Sequence, residues 1–121
     1  METKRQKFLP SLRIRIDLDP EGRIGHGKIR LLEAIHTCGS ISAAGRTMNM
    51  SYRHAWGLID EITRTFKRDV IVRRVGGEKG GGAELTPFGL TLVARYRKIE
   101  RSVKSATRKQ LLAIQADIGN N

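Results

Sequence analysis

The spacing of apolar and polar residues changes along the chain from a strand pattern to a helix pattern. Apolar residues occupy every second position over 12–18, which predicts a half-buried strand. The sequence Asp19-Pro20-Glu21-Gly22 predicts a turn into a short partner strand at 23–24. A first helix is predicted over about 27–38, because its apolar residues recur three and four positions apart, and Gly39 is placed to end it.

Residues 40–66 predict two helices around a tight turn. Ser40 is a good N-cap for a short helix that ends near Thr47, and Ser51 caps a longer helix after the turn. A short helix, a turn and a longer helix with a polar, cationic start are typical of the helix-turn-helix, whose second helix enters the major groove of DNA. Residues three and four apart on the longer helix predict its buried face: Tyr52, Ala55, Trp56, Ile59, Ile62 and Phe66.

A hairpin and a long helix are predicted for the rest of the chain. The β-branched run at 70–75 and the short segment 83–85 predict two strands joined by a glycine-rich tip. Thr86 and Pro87 then predict the start of one helix over about 86–118. Its apolar seam is too long for a small domain to cover, which predicts a homodimer through this helix. The seam consists of Leu92, Tyr96, Ile99, Val103, Ala106, Gln110 and Ala113.

The glycine-rich segment 76–82 has three interpretations. A phosphate-binding loop needs a lysine followed by Ser or Thr, whereas Lys79 is followed by glycine. A dinucleotide-binding loop opens a helix, whereas this one leads into Glu84 and Leu85. A nucleotide-dependent enzyme therefore has little support. The other two interpretations are a wing whose basic residues contact DNA phosphates or the minor groove, and a hairpin tip that contacts nothing.

The net charge points to an anionic partner. Lys and Arg total 23 against 12 Asp and Glu, which gives a formal charge of +11 over 121 residues. Such a field favours nucleic acid or an anionic membrane surface. No apolar run reaches the roughly 18 residues of a membrane span, and the basic start has no apolar segment behind it. Together with a single cysteine, Cys38, these features predict a cytoplasmic protein.

Metal binding and catalysis find no support in the sequence. His36 and Cys38 are two residues apart, but no second pair with ligand spacing accompanies them. Cys38 is predicted to lie on an apolar helix face as a small hydrophobic residue. Asp60 and Glu61 are adjacent, so on a helix they point about 100° apart and cannot act as a carboxylate pair. We therefore expect no metal site and no enzyme.

Two segments carry a resemblance to a known family. The runs "GSISAAGRTMNMSYRHAWGLIDEI" and "VRRVGGEKGGGAELTPFG", with the N-terminal strand, resemble the DNA-binding domain of molybdate-responsive regulators of the ModE type over about residues 11–100. The helix-turn-helix part is similar to LysR-type regulators as well. The resemblance implies a winged helix-turn-helix dimer that represses or activates genes, often those for molybdate uptake. It also implies that molybdate binds to C-terminal domains beyond this region, so no cofactor is expected in this chain.

These observations predict one domain over residues 1–121, mostly α with a small β component. It is expected to be a winged helix-turn-helix with the helix-turn-helix at about 40–66, the wing at about 70–85 and a long C-terminal dimerisation helix. The predicted function is sequence-specific binding of double-stranded DNA in transcription regulation. The alternative is a basic nucleoid- or RNA-associated protein that binds by charge alone. Candidate DNA contacts are Arg46, Ser51, Arg53, His54, Arg73, Arg74 and Lys79.

Overall fold

The protein is described by a computed structural model that covers residues 9–74 and 82–119. The tip of the predicted wing, with Lys79, lies outside the described residues. The helices and strands follow in the order β1 Arg15–Asp17, β2 Arg23–Gly25, α1 His26–Cys38, α2 Ile41–Thr47, α3 Tyr52–Phe66, β3 Ile71–Arg74, β4 Gly82–Leu85, α4 Pro87–Ala106 and α5 Arg108–Ala116.

The first two strands form an antiparallel hairpin in which Ile16 pairs with Ile24. The predicted alternation is present, because the apolar residues of 12–18 are half-buried and the residues between them are exposed. The turn is closed by the amide of Leu18, which donates to the carbonyl of Gly22 at 2.8 Å. Gly22 has a φ of 107°, a value that favours glycine. The hairpin therefore follows from the alternation and from the Pro-Gly turn.

Helix α1 lies at the centre of the core. Ile29, Leu31, Leu32 and Ile35 are fully buried on it, and it packs against α2, α3, α4, β2 and β4. Gly39 ends the helix as predicted, in the left-handed conformation. Its carbonyl also accepts a hydrogen bond from the amide of Ala83 at 2.8 Å. The end of α1 thus fixes the start of β4.

Helices α2 and α3 form the predicted helix-turn-helix. The hydroxyl of Ser40 accepts from the amide of Ala43, and the hydroxyl of Ser51 accepts from the amide of His54, each at 3.0 Å. Both predicted N-caps are therefore present. In the turn between the helices Asn49 has a φ of 56°, a conformation that asparagine tolerates. The helices cross closely because the crossing residues are small, with Ala44, Gly45 and Ala55 all buried.

Strands β3 and β4 pair antiparallel as the stem of the wing, from Ile71 opposite Leu85 to Arg74 opposite Gly82. The stem is joined to α4 at Thr86, whose hydroxyl accepts from the amide of Gly89 at 3.0 Å and caps the helix as predicted. The amide of Thr86 donates to the carbonyl of Val70 at 3.0 Å. The predicted fold class, a mostly α winged helix-turn-helix with a small β component, is confirmed.

The prediction of a single helix over 86–118 is wrong, because the helix is interrupted at Thr107, between α4 and α5. The hydroxyl of Thr107 donates to the carbonyl of Val103 at 2.6 Å, and such back-bonding bends helices. The predicted seam also divides into two parts. Its first part, Leu92 and Tyr96, is buried in the core, whereas Ile99 is 43% exposed. Tyr96 is buried because its hydroxyl reaches the carbonyl of Ile14 in the N-terminal hairpin, to which it donates.

A network of one arginine and two carboxylates joins α1 to α4. Arg97 donates from Nε and Nη2 to the two carboxylate oxygens of Glu33, at 2.9 and 2.7 Å, and from Nη1 to Glu100 at 2.6 Å. The hydrogen bonds from Arg97 hold the pKa of Glu33 below its usual 4.5. Glu100 is buried, so its charge depends on this arginine for compensation.

His26, the first residue of α1, lies near this network. Its Nδ1 is buried and has no hydrogen-bond partner among the described residues. Burial lowers the pKa of His26 from its usual 6.5, and the charge of Arg13 lowers it further. A neutral imidazole is therefore favoured in the folded protein.

Candidate nucleic-acid interface

The first turn of α3 presents two of the predicted contact residues to solvent. Arg53 and His54 are both exposed, and the first turn holds no acidic residue. Ser51 caps the helix through its hydroxyl while its side chain stays exposed. The amides at a helix N-terminus and the helix dipole attract anions. This end of α3 therefore combines the exposed cation of Arg53 with a favourable backbone field.

Charge changes along the outward face of α3. Its second half carries Asp60, paired with Arg64 at 3.3 Å, and Glu61, paired with Lys28 of α1 at 3.0 Å. Negative charge there is unfavourable for contact with phosphates. Between the two halves Gly57 is exposed, and among the described residues no other part of the fold lies within 4 Å of the position a Cβ would take. The attraction for an anionic partner is thus concentrated at the N-terminal half of the helix.

Tyr52 is exposed, so its predicted place in the buried stripe is wrong. Its side chain is 47% accessible because it is the first residue of α3 and extends past the end of the core. Its ring meets that of Trp56 edge to face, with centroids 6.4 Å apart. The helical periodicity therefore did not reveal this exposed aromatic residue beside Arg53, whereas its position directly after an N-cap is the signal that identifies it.

Arg73 connects the wing to α3. Its guanidinium lies 5.3 Å from the centroid of the Trp56 ring, on the half-buried side of α3, a distance at which cation and ring attract. The side chain is otherwise exposed. Trp56 thereby contacts both Tyr52 and Arg73, and it holds the stem of the wing against the start of α3.

The remaining predicted contacts differ in their surroundings. Arg46 is exposed in the last turn of α2. Arg74 is exposed but forms an ion pair with Glu84 on the opposite strand of the stem, which competes with phosphate for its guanidinium. Lys79 lies outside the described residues. Within the part of the chain that the structure describes, five of the predicted contact residues therefore have no competing side-chain carboxylate partner: Arg46, Ser51, Arg53, His54 and Arg73.

Cys38 is exposed at the end of α1, so its predicted place on an apolar face is wrong. The helix ends at this residue, and its sulfur lies 3.7 Å from the hydroxyl of Thr47. Within residues 9–74 and 82–119, no three His, Cys, Asp or Glu side chains are grouped closely enough to hold a metal ion. None of the helices described has both the length and the apolar character that a membrane span requires.

The chain is similar to proteins named for molybdenum transport, molybdenum-pterin binding and transcription regulation. It is 39% identical over 94 residues, 78% of this chain, to the molybdenum transport protein ModE of Azotobacter vinelandii. It is 42% identical over 81 residues, 67% of this chain, to the molybdenum-pterin-binding protein MopB of Rhodobacter capsulatus. Against the DNA-binding transcriptional dual regulator ModE of Escherichia coli K12 the identity is 38% over 69 residues, 57% of this chain.

The matched stretch is about a third or less of each relative: 35% of the Azotobacter protein, 30% of MopB and 26% of the Escherichia coli regulator. No protein-family model matches the chain. The predicted resemblance is nevertheless confirmed, because several relatives carry the ModE name at 34–39% identity. Over the matched stretch, this chain corresponds to the N-terminal region of ModE-type proteins.

Proposed function

We propose that this chain binds duplex DNA sequence-specifically, as a homodimer, and regulates transcription in the cytoplasm without catalytic activity. The observation that carries the proposal is the exposed, cationic first turn of α3, held on a rigid helix-turn-helix. In this fold the second helix enters the major groove, where an arginine can donate two hydrogen bonds to guanine. Arg53 has the exposure and the position for that role.

The other exposed groups have supporting roles in this proposal. Arg46 and His54 contact phosphates beside the reading helix, and Tyr52 packs on the DNA backbone or on a thymine methyl group. Arg73, fixed by Trp56, directs the wing toward the adjacent groove, where Lys79 and Arg74 contribute positive charge. The name of the Escherichia coli relative, a DNA-binding transcriptional dual regulator, supports this class of function.

Selection from random duplexes, followed by sequencing, tests the proposal. A dimer with two copies of α3 should enrich a near-palindromic site whose halves are about one helical turn apart. The alternative, a basic protein that binds nucleic acid by charge alone, predicts no enriched sequence and an affinity set by the number of phosphates neutralised. Enrichment of no sequence would therefore contradict sequence-specific regulation and favour the alternative.

The homodimer is proposed to form through the exposed apolar residues of α4 and α5. Ile99 of α4 is 43% exposed and Ile114 of α5, a helix with no buried residue, is 65% exposed. Ile118, two residues after the end of α5, is 60% exposed. Apolar side chains exposed along two consecutive helices mark a contact surface. We expect Ile99→Asp to convert a dimer into a monomer that binds DNA weakly, since an aspartate there would be desolvated in the dimer.

Light scattering at micromolar protein concentration measures this outcome. Leu90→Asp is the matched control, because Leu90 is 45% exposed on the same helix but lies outside the seam. It should leave the dimer intact. A wild-type protein that is monomeric at this concentration, or equal dissociation by both variants, would rule out a dimer through α4.

A further inference from the structure

An apolar groove separate from the proposed DNA-binding face runs between the N-terminal hairpin and α4. Its volume is about 390 Å³, within the range of sites for small organic ligands. The base of the groove consists of core residues: Ile24, Leu92 and Tyr96 are 3%, 9% and 2% exposed. Since these side chains are fixed by the core, the groove is a preformed concavity and not a gap between mobile side chains.

One wall of the groove is aromatic. Phe66, the last residue of α3, meets Phe88 of α4 edge to face with ring centroids 5.4 Å apart. Ile16 and Leu18 of the hairpin line the other side. Aromatic and branched side chains facing one another favour a flat, apolar ligand, because it can contact both walls at once.

Two arginines give the groove a positive charge. Arg68 and Arg95 both line it, and the guanidinium of Arg68 lies 4.4 Å from the centroid of the Phe88 ring. Among the described residues that line the groove, none is acidic. Within the described ranges neither arginine forms an ion pair, whereas Arg15, Arg64, Arg74 and Arg97 each do. The two charges are therefore available to an anionic ligand beside an apolar surface.

We propose that this groove binds a small apolar carboxylic acid, with its hydrocarbon part on Phe66, Phe88 and the core residues and its carboxylate on Arg68 and Arg95. Guanidinium groups match carboxylates in geometry and charge, and the apolar part provides the rest of the affinity. Ile99, at one end of the groove, also belongs to the seam proposed for dimerisation. The ligand thus lies at the edge of that contact, although its binding does not depend on DNA recognition.

Calorimetric titration of the full chain with naphthalene-2-carboxylate tests this site. The neutral naphthalene-2-carboxamide is the matched control ligand. We expect saturable binding of the acid with a dissociation constant on the order of 0.1 mM and weaker binding of the amide. The double variant Arg68→Gln, Arg95→Gln should weaken binding of the acid about tenfold and leave the amide unchanged. Arg101→Gln, an exposed arginine on α4 outside the groove lining, should change neither.

Methyl NMR of isoleucine locates the ligand. Signals of Ile16, Ile24 and Ile99 should shift on titration, because these residues line the groove, while those of Ile41 and Ile114 should not. Equal affinity for acid and amide would overturn the proposal, as would absence of saturation at 2 mM, about twenty times the expected constant. Shifts at Ile41 and Ile114 as large as those in the groove would also overturn it, since they would indicate non-specific adsorption.

Discussion

Replacing Gly89 with alanine is expected to lower the free energy of unfolding by about 3 kcal/mol. A Cβ at this position would lie 2.5 Å from the carbonyl oxygen of Val70 and 3.3 Å from the Cβ of Leu85. The carbonyl is backbone and cannot rotate away, and it also accepts from the amide of Thr86. The added methyl group must therefore separate the stem of the wing from α4.

Urea unfolding followed by circular dichroism measures the change, and Gly57→Ala is its matched control. Gly57 is also helical, but apart from its chain neighbours and its own helix backbone no described atom lies within 4 Å of the position a Cβ would take. Its replacement should raise stability by about 0.5–1 kcal/mol through the helix propensity of alanine. A Gly89→Ala protein as stable as Gly57→Ala would contradict the close packing of α4 on the wing stem.

Arg97→Met is expected to lower the free energy of unfolding by about 2–3 kcal/mol, because it leaves the buried carboxylate of Glu100 without its partner. Methionine keeps much of the apolar length of the arginine side chain, so the decrease in the free energy of unfolding measures the contribution of the charge and its hydrogen bonds. Arg101→Met, at an exposed position on the same helix, should change stability by less than about 0.5 kcal/mol. Equal stability of the two variants would show that the network contributes nothing.

The same substitution should alter the dependence of stability on pH. The pKa of Glu33 is lower in the folded protein than its usual 4.5. The contribution of this carboxylate to the free energy of unfolding is therefore present above pH 4.5 and is lost as the pH falls through the folded pKa. His26 acts in the same direction: its pKa lies below 6.5, and protonation of the unfolded chain removes stability as the pH falls below that value. Arg97→Met should flatten the loss below pH 4.5, measured by urea unfolding at several pH values.

Local signals in the sequence predicted the positions that organise the fold. Ser40, Ser51 and Thr86 each act as the N-cap that their side chains and positions indicated. Gly39 ends α1, and the alternation before Gly22 forms the hairpin. These features could be predicted because capping and turn chemistry depend on neighbours within a few residues. The helix-turn-helix and the candidate first turn of α3 follow from the same signals.

Features that depend on distant contacts or on the ends of elements could not be predicted in this way. The helical periodicity assigned Tyr52 to the core, but this residue is exposed because the first turn of α3 extends beyond the core. The interruption at Thr107 carries no proline or glycine to mark it. The bidentate pair between Arg97 and Glu33 joins residues 64 positions apart, and no pattern along the chain indicates it. The burial of Tyr96, which shortened the exposed seam, likewise depends on a contact with Ile14.

The affinity of Arg53→Ala for the selected site and for a random duplex tests most directly whether the first turn of α3 reads DNA sequence. We expect the variant to lose about 1–3 kcal/mol on the selected site and much less on the random duplex, with relaxed preference at one or two base pairs. Arg64→Ala, at the paired and acidic end of the same helix, should bind both duplexes nearly as the wild type does. Equal losses for Arg53→Ala on the two duplexes would contradict base recognition by α3 and would leave Arg53 as a contact to phosphate alone.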